Sequence, residues 1–266
     1  MHSSLKEFLG EAAGTFILVF LGCGAVAVSI LFDWLPHIAA IAAVWGVAVV
    51  MAIYAVRPVC GAHFNPAVSI AMTIAGRFQK RKLLLYFIAQ LFGAMAAALV
   101  LYAVLNDPIR GYEAAHHIFR GTPASVTTAR MFGEFYAPYP ALPAMLAEGT
   151  GTFLLTAGIF MATHEQPGKK NRSKWAPVAI GAVLTLLIVL FASITQAGFN
   201  PARDFGPRLV AYFAGWRGAA FPVPAGGFCW VYILAPFAGA TLAALLYNYY
   251  LKRSPRAELK IRYENE

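Results

Sequence analysis

Asn65-Pro66-Ala67 and Asn200-Pro201-Ala202 each set an amide side chain directly before a proline that opens a short apolar run. Asparagine is among the best helix N-caps, because its side-chain oxygen accepts from an N–H of the first turn. Proline suits the first helical position, where its missing N–H would have had no partner. Both triplets therefore predict helix starts, and a helix start is a positive dipole end. Such an end attracts and orients polar groups; it breaks no bonds. Four further polar residues sit in apolar surroundings: Glu11, Glu148, His63 and Arg203. Glu11 and Glu148 read either as a proton relay or as acceptors for the loops that precede the triplets. Their presence in both halves of the chain favours acceptors. His63 reads as a gate, a metal ligand or a hydrogen-bonding post, and with no second ligand nearby the post is favoured. Arg203, three residues after Asn200 in an apolar run, has little stabilising use of its own and points to function.

The remaining chemistry is sparse. Ser, His and acidic residues converge on no apparent catalytic arrangement, so an enzyme is not indicated. Cys23, Cys60 and Cys229 are too few and too scattered for a disulfide framework or a metal site. They read as small core side chains, and no metal or cofactor is expected.

The elements that must position these residues lie in a membrane. The 266-residue chain is 59% hydrophobic and 12% charged, with a mean hydropathy of +0.62. A soluble domain carries about 25% charged residues. A hydrocarbon core of roughly 30 Å needs about 20 apolar residues in a helix. Six segments qualify: Phe8–Leu31, Ile38–Val59, Leu83–Leu105, Leu142–Ala162, Trp175–Ile194 and Phe228–Leu251. The first carries Glu11 and is long enough to span, so no cleavable leader is expected. The net charge of +9 does not point to nucleic acid. The basic residues gather in short turns and near the chain ends: Lys6, Arg57, Arg77, Lys80, Arg81, Lys82, Lys169, Lys170, Arg172, Lys174, Lys252, Arg253, Arg256, Lys260 and Arg262. Arg110, Arg120, Arg130, Arg203, Arg208 and Arg217 make a smaller set on the other side. The excess predicts cytoplasmic termini, in a plasma or inner membrane, and an external connection over 106–141.

Two apolar runs are left, Pro66–Gly76 and Pro201–Phe213. At 1.5 Å per residue, about a dozen residues reach roughly half-way across the bilayer. One follows a cytoplasmic end and the other an external end, so they enter from opposite faces. The halves also repeat. "EAAGTF" from Glu11 answers "EGTGTF" from Glu148, Gly46 answers Gly181, and "YFIAQLFGA" from Tyr86 answers "YILAPFAGA" from Tyr232. Three spans per half make the repeat inverted, over roughly 8–105 and 142–251, in a single domain covering 1–266. Inverted repeats build a pathway at the midplane. Non-helical backbone is tolerated there only when buried in protein or lining a wet cavity. The fold class expected is an all-α membrane protein of six spans and two re-entrant half-helices.

"GAHFNPAVS" and "GFNPARDFGPR" resemble the signatures of the major intrinsic protein family, the aquaporins and glycerol facilitators, and the resemblance runs from Glu11 to Leu251. It implies a homotetramer with one pore in each subunit. Asn65 and Asn200 then donate amide hydrogen bonds to a passing solute. Gly61, Ala62, His63 and Phe64, with Ala197, Gly198 and Phe199, offer backbone carbonyls on one wall, and Phe and aliphatic side chains form the other. Opposed dipoles and Arg203 repel cations and protons. The filter positions of the family fall on Trp45, Ile188, Ala197 and Arg203. Water-selective members carry Phe at the position of Trp45 and His at that of Ile188, so this set implies a wider opening, with solute carbons against Trp45 and hydroxyls toward Arg203. Asp204 and Arg208 match the glycerol-type pattern. Ala197 and Ile188 depart from enteric glycerol facilitators, which have Phe and Gly there, and resemble plant nodulin-type channels for glycerol, ammonia and metalloid hydroxides. The expected function is a passive channel for glycerol and other small neutral solutes with water. The alternatives are a water-selective channel, an ion-coupled secondary transporter and an adhesive role for the external connection.

Overall fold

The computed structural model of the chain describes residues 2–164, 172–221 and 227–252. Among these there is no strand. The long helices are α1 (His2–Phe32), α2 (Ile38–Val56), α4 (Leu83–Ala115), α6 (Ala141–Thr163), α7 (Arg172–Thr195) and α9 (Ala235–Lys252), the last led in by a π-helical stretch, Cys229–Leu234. All six expected spans appear as helices long and apolar enough to cross a membrane. The half-helices are α3 (Pro66–Ile74) and α8 (Pro201–Ala211), and α5 (Val126–Ala129) is a single turn in the long connection. Lys169, Lys170, Arg253, Arg256, Lys260 and Arg262, used above for orientation, lie outside the described residues.

One boundary differs from expectation. The connection begins at His116 rather than near residue 106, because α4 runs on through Pro108. Asn106 and Asp107 end the apolar span but not the helix. Ile109 and Glu113 on the extra turns are buried, and Glu113 pairs with Arg120 at 2.8 Å, which holds the extension against the connection.

Neighbouring spans approach at glycines, which let helix backbones meet where interhelical hydrophobic driving force is absent. On the crossing of α2 and α7, a Cβ on Gly46 would stand 2.7 Å from the Gly181 carbonyl, and one on Gly181 would stand 2.6 Å from that of Gly46. This reciprocity marks the pseudo-two-fold axis. The two halves mirror each other elsewhere: Gly93 of α4 sits against the Ala12 carbonyl of α1, and Gly239 of α9 against the Gly149 carbonyl of α6. The half-helices cross over. α3 packs on α9 of the other half, and α8 on α4. Each is thereby locked by a span from the opposite repeat, and their N-termini meet at mid-depth.

Candidate functional site

Asn65 and Asn200 cap their half-helices as their sequence predicts. Asn65 Oδ1 accepts from the Ala67 N–H at 2.9 Å, and Asn200 Oδ1 from those of Ala202 and Arg203 at 3.1 and 3.2 Å. Pro66 and Pro201 open the helices, and both triplets are buried. The amide nitrogens then tie the repeats together. Asn65 Nδ2 donates to the Phe199 carbonyl at 2.9 Å, and Asn200 Nδ2 to the Phe64 carbonyl at 2.7 Å. An amide nitrogen has two hydrogens. One of each is spent on this cross-link, which leaves one per asparagine for the cavity rather than the whole amide.

The segments before the asparagines are held open by acids. Glu11 accepts from the N–H groups of His63 and Phe64 at 2.8 and 2.9 Å, and from Gln90 Nε2 at 2.9 Å. Glu148 accepts from Gly198 and Phe199 at 2.9 and 2.7 Å. Both acids are fully buried. Ala62, Phe64, Ala197 and Phe199 all have φ between 53° and 65°. L-residues rarely hold that conformation without an external constraint. In each segment two consecutive N–H groups thereby face the acid. Gly14 and Gly151 make room for the arrangement: a Cβ on either would lie 2.0 Å from the ring of Phe64 or Phe199. His63 Nδ1 lies 3.1 Å from the Ser69 hydroxyl, an anchor within the same half.

These elements enclose a cavity of about 60 Å³ that runs past both asparagines. It has room for roughly four waters. Its lining joins His63, Phe64, Ala197, Gly198 and Phe199 with the aliphatic Leu18, Val49, Val68, Leu155, Ile180 and Leu184. Trp45, Ile188 and Arg203 join Ala197 at one end. Gly61 and Ala62 are not part of this lining. Gly61 is exposed, beyond the cavity, where its N–H donates to the Tyr86 hydroxyl at 2.9 Å.

One expectation about the filter end needs correction. The indole of Trp45 offers no free flat face. A Cβ on Gly22 would stand 2.3 Å from three of its ring atoms, and the Arg203 guanidinium carbon lies 4.4 Å over the ring. The ring is sandwiched, and its edge remains for the cavity. Arg203 is paired. Its Nη2 donates to Glu134 Oε1, in an ion pair 4–5% exposed. Its Nη1 is buried, 4.0 Å from Asp204 Oδ1, and has no hydrogen-bond partner within the protein. Asp204 and Arg208 stand outside the cavity lining. They pair with each other at 2.7 Å, both 0% exposed, in a box of Phe135, Phe228 and Tyr232 with ring centres 4.8–5.3 Å from the guanidinium.

That pair holds the connection down. Asp204 Oδ1 accepts from the Glu134 N–H at 2.8 Å, and Arg208 Nη2 donates to the Glu134 carbonyl. Gln196 Oε1 accepts from the Phe135 N–H at 2.6 Å. Met131, Phe132, Phe135 and Tyr136 are buried, so this stretch is core rather than surface loop. Sequence reading passes over Glu134. A single acid in a Gly-, Pro- and Tyr-rich connection carries no spacing signal, although the run of aromatics around it is an indication of burial.

The surroundings of Glu134 raise the protonation midpoint of its carboxyl. Burial pushes it up to about 7, against the pull of Arg203 and with Asp204 adding to the rise. Of the cysteines, Cys23 is buried, Cys60 half-buried and Cys229 exposed, and none is paired.

Comparison with known proteins bears on the same residues. A family profile described as major intrinsic protein matches residues 1–247. A glycerol uptake facilitator protein of Pseudomonas aeruginosa is 38% identical, covering 94% of this chain and 90% of its own. That of Escherichia coli K12 is 33% identical, covering 92% and 86%. A propanediol uptake facilitator of Salmonella typhimurium is 33% identical, covering 96% and 97%. Among solved structures, the aquaglyceroporin from Plasmodium falciparum superposes with a TM-score of 0.82 at 27% identity, over 96% of this chain and 99% of that one.

Proposed function

The chain belongs to the major intrinsic protein family, and from that premise we propose that it is a passive channel for glycerol and other small neutral solutes, with water alongside. It is not an enzyme: its family and its relatives are uptake facilitators. The observation that carries the reading is the cavity itself. Both asparagines, the segments before them and a set of aliphatic side chains line it together, so polar and apolar groups meet in one narrow space. A polyol has the matching pattern of hydroxyls along one edge and carbons along the other. Ala197 leaves space at the filter, Ile188 supplies apolar contact, and Arg203 is the cationic member of the lining there. The opposed dipoles of α3 and α8 disfavour cations at the waist and orient waters oppositely on either side of it, which interrupts proton hopping.

The same resemblance supports one channel domain over residues 1–266, a homotetramer with a pore in each subunit, and a plasma or inner membrane with both termini cytoplasmic. The 116–140 connection then covers the external mouth. Reconstitution in vesicles with stopped-flow light scattering tests the reading. Rapid re-swelling in a glycerol gradient, linear in the gradient and unaffected by ionophores, is the expected result. Water flux with no glycerol flux leaves a water-selective channel instead, and saturable uptake coupled to an ion gradient leaves a secondary transporter.

A further inference from the structure

The seam where α1 lies along α4 carries an apolar groove and a charge imbalance that the pore does not use. The two helices run side by side in one direction: Glu7 meets Lys82 and Tyr86, Glu11 meets Gln90, and Gly93 meets Ala12. Beside that seam, Leu5 and Leu9 of α1 and Leu84, Ile88 and Phe92 of α4 are 53–70% exposed. Each set recurs every four residues, which puts it on one helix face. The spacing of 79 residues in the Glu7–Tyr86 and Glu11–Gln90 contacts sets Leu5 level with Leu84, and Leu9 level with Ile88. The rings of Phe8 and Phe92 pack 6.2 Å apart and bridge the two rows. From Leu84 to Phe92 the groove runs about 12 Å at 1.5 Å per residue, close to the depth of one leaflet in a hydrocarbon core of roughly 30 Å.

Cations without matching acids stand above its open end. Lys80 and Arg81 belong to the 3-10 turn that leads into α4 and are exposed, as is Lys6 of α1. Lys82 is committed elsewhere. Its Nζ donates to Glu7 Oε1 at 2.7 Å, Glu7 also accepts from the Tyr86 hydroxyl, and that hydroxyl accepts from the Gly61 N–H at 2.9 Å. Among the described residues, Glu7 is the one acid at this end of the seam, and Lys82 cancels it. Arg81 Nε donates to the neutral Gln79 side chain at 3.0 Å, so the Arg81 charge stays uncancelled. Lys6, Lys80 and Arg81 thus gather positive charge at the level where an apolar groove meets water.

We propose that this face binds one anionic phospholipid. The phosphate sits on Lys80 and Arg81 with Lys6 adding its field, and an acyl chain lies in the groove between Leu5 and Leu9 on one side and Leu84, Ile88 and Phe92 on the other. The proposal rests on the membrane orientation above, which makes this leaflet the cytoplasmic, anionic one. Groove and charge select the lipid together. A soluble phosphate makes no use of the groove, and a zwitterionic lipid cancels its own phosphate charge. Occupancy braces the α1–α4 seam at the end where the Lys82–Glu7–Tyr86 chain reaches Gly61.

The test titrates the purified full chain, in neutral detergent, with dioleoylphosphatidylglycerol or dioleoylphosphatidylcholine and follows the melting temperature. A ligand of the folded state raises it by mass action. Phosphatidylglycerol should do so and phosphatidylcholine should not. One cation beside an anionic lipid is worth about fivefold in affinity, so Lys80→Gln with Arg81→Gln should raise the phosphatidylglycerol needed for a given rise about thirtyfold. Arg57→Gln with Lys174→Gln removes the same charge at the same end of the bundle, beside α2 and α7, and should leave that amount within about threefold of native. Ile88→Trp fills the groove without changing charge and should weaken the response as well. All these positions are exposed, so the variants keep the fold. Equal weakening by the two double variants shows a diffuse surface field and overturns the proposal. So does an unchanged response in Ile88→Trp, an equal response to phosphatidylcholine, or an equal response to soluble glycerophosphoglycerol, which carries the phosphate without chains. Glycerol flux through the native protein in vesicles separates this proposal from the channel reading. A conducting channel without lipid selectivity overturns the lipid site alone, and selective lipid binding by a protein that passes no glycerol overturns the channel reading alone.

Discussion

Replacing Glu148 by Gln removes one of the two carboxylate oxygens that hold the Gly198–Phe199 turn. Each oxygen accepts one backbone N–H, at 2.9 and 2.7 Å. A glutamine keeps one acceptor but turns an NH2 group toward the other N–H, so two buried donors face each other. One charge-assisted bond is worth about 1.5–3 kcal/mol, and an unsatisfied buried donor costs about 1–3 kcal/mol. Relief of the carboxylate's own desolvation offsets part of this, leaving a loss of about 2–4 kcal/mol. For a chain of this size, about 2–4 °C accompanies each kcal/mol, so the melting temperature should fall by roughly 5–15 °C. The same change at Glu11 should be milder. Glu11 already accepts from Gln90 Nε2, and Gln90 Oε1 is buried without a partner. In Glu11→Gln, a flip of the Gln90 amide lets that oxygen accept from the nitrogen of the substituted side chain. At Glu148 the pseudo-equivalent neighbour is Pro236, and the side-chain partner there is the Thr195 hydroxyl, whose oxygen already accepts from the Ala197 N–H at 3.2 Å. Thermal unfolding of the purified protein, followed by tryptophan fluorescence in detergent, reads both shifts. Equal shifts for the two variants, or a Glu148→Gln midpoint within about 2 °C of native, refutes the reasoning.

Other perturbations test other parts of the site. Ala197→Phe puts a ring into the filter beside Ile188, and glycerol flux should drop at least about tenfold, equivalent to about 1.4 kcal/mol on the barrier. Adding Ile188→Gly should restore flux by moving the bulk across the pore, and a double variant as slow as the single one removes both residues from the filter. Arg208→Ala breaks a fully buried pair and leaves Asp204 with only the Glu134 N–H and the more distant Arg203, at a cost of about 3 kcal/mol; the freed 131–136 stretch should become cleavable by added protease, and unchanged protection counts against the latch. Gly46→Ala drives a Cβ to 2.7 Å from the Gly181 carbonyl and 2.0 Å from Thr185 Oγ1, so the α2–α7 crossing should loosen by about 2–3 kcal/mol, read as a lower melting temperature. Asn200→Ala removes the cap of α8 and the link to Phe64, and glycerol flux in vesicles should fall with it.

Much of this molecule is decided locally. Hydropathy places six spans, because an apolar stretch of that length has nowhere else to go. Asn-Pro at the head of a short apolar run specifies a capped half-helix, and the structure begins α3 at Pro66 and α8 at Pro201. The duplicated Glu-x-x-Gly-Thr-Phe pattern reveals the inversion, since a repeat with three spans must flip. Helix ends are less legible. α4 continues through Pro108 because buried Ile109 and Glu113 hold it, which no local rule anticipates.

What the tertiary structure alone decides is who meets whom at the filter. The family resemblance assigns Trp45 and Arg203 to filter positions, but their environment comes from elsewhere in the chain. Gly22 takes one face of the indole, and Glu134 takes an amino group of the guanidinium from 69 residues away. Asp204 and Arg208 carry the pattern of a glycerol-type channel, yet they act by tying the connection to α8. Local sequence fixes backbone states, because caps, breaks and hydropathy act within a few residues. The charge and shape of the pore mouth depend on side chains brought together across the fold, and only packing determines which charges cancel.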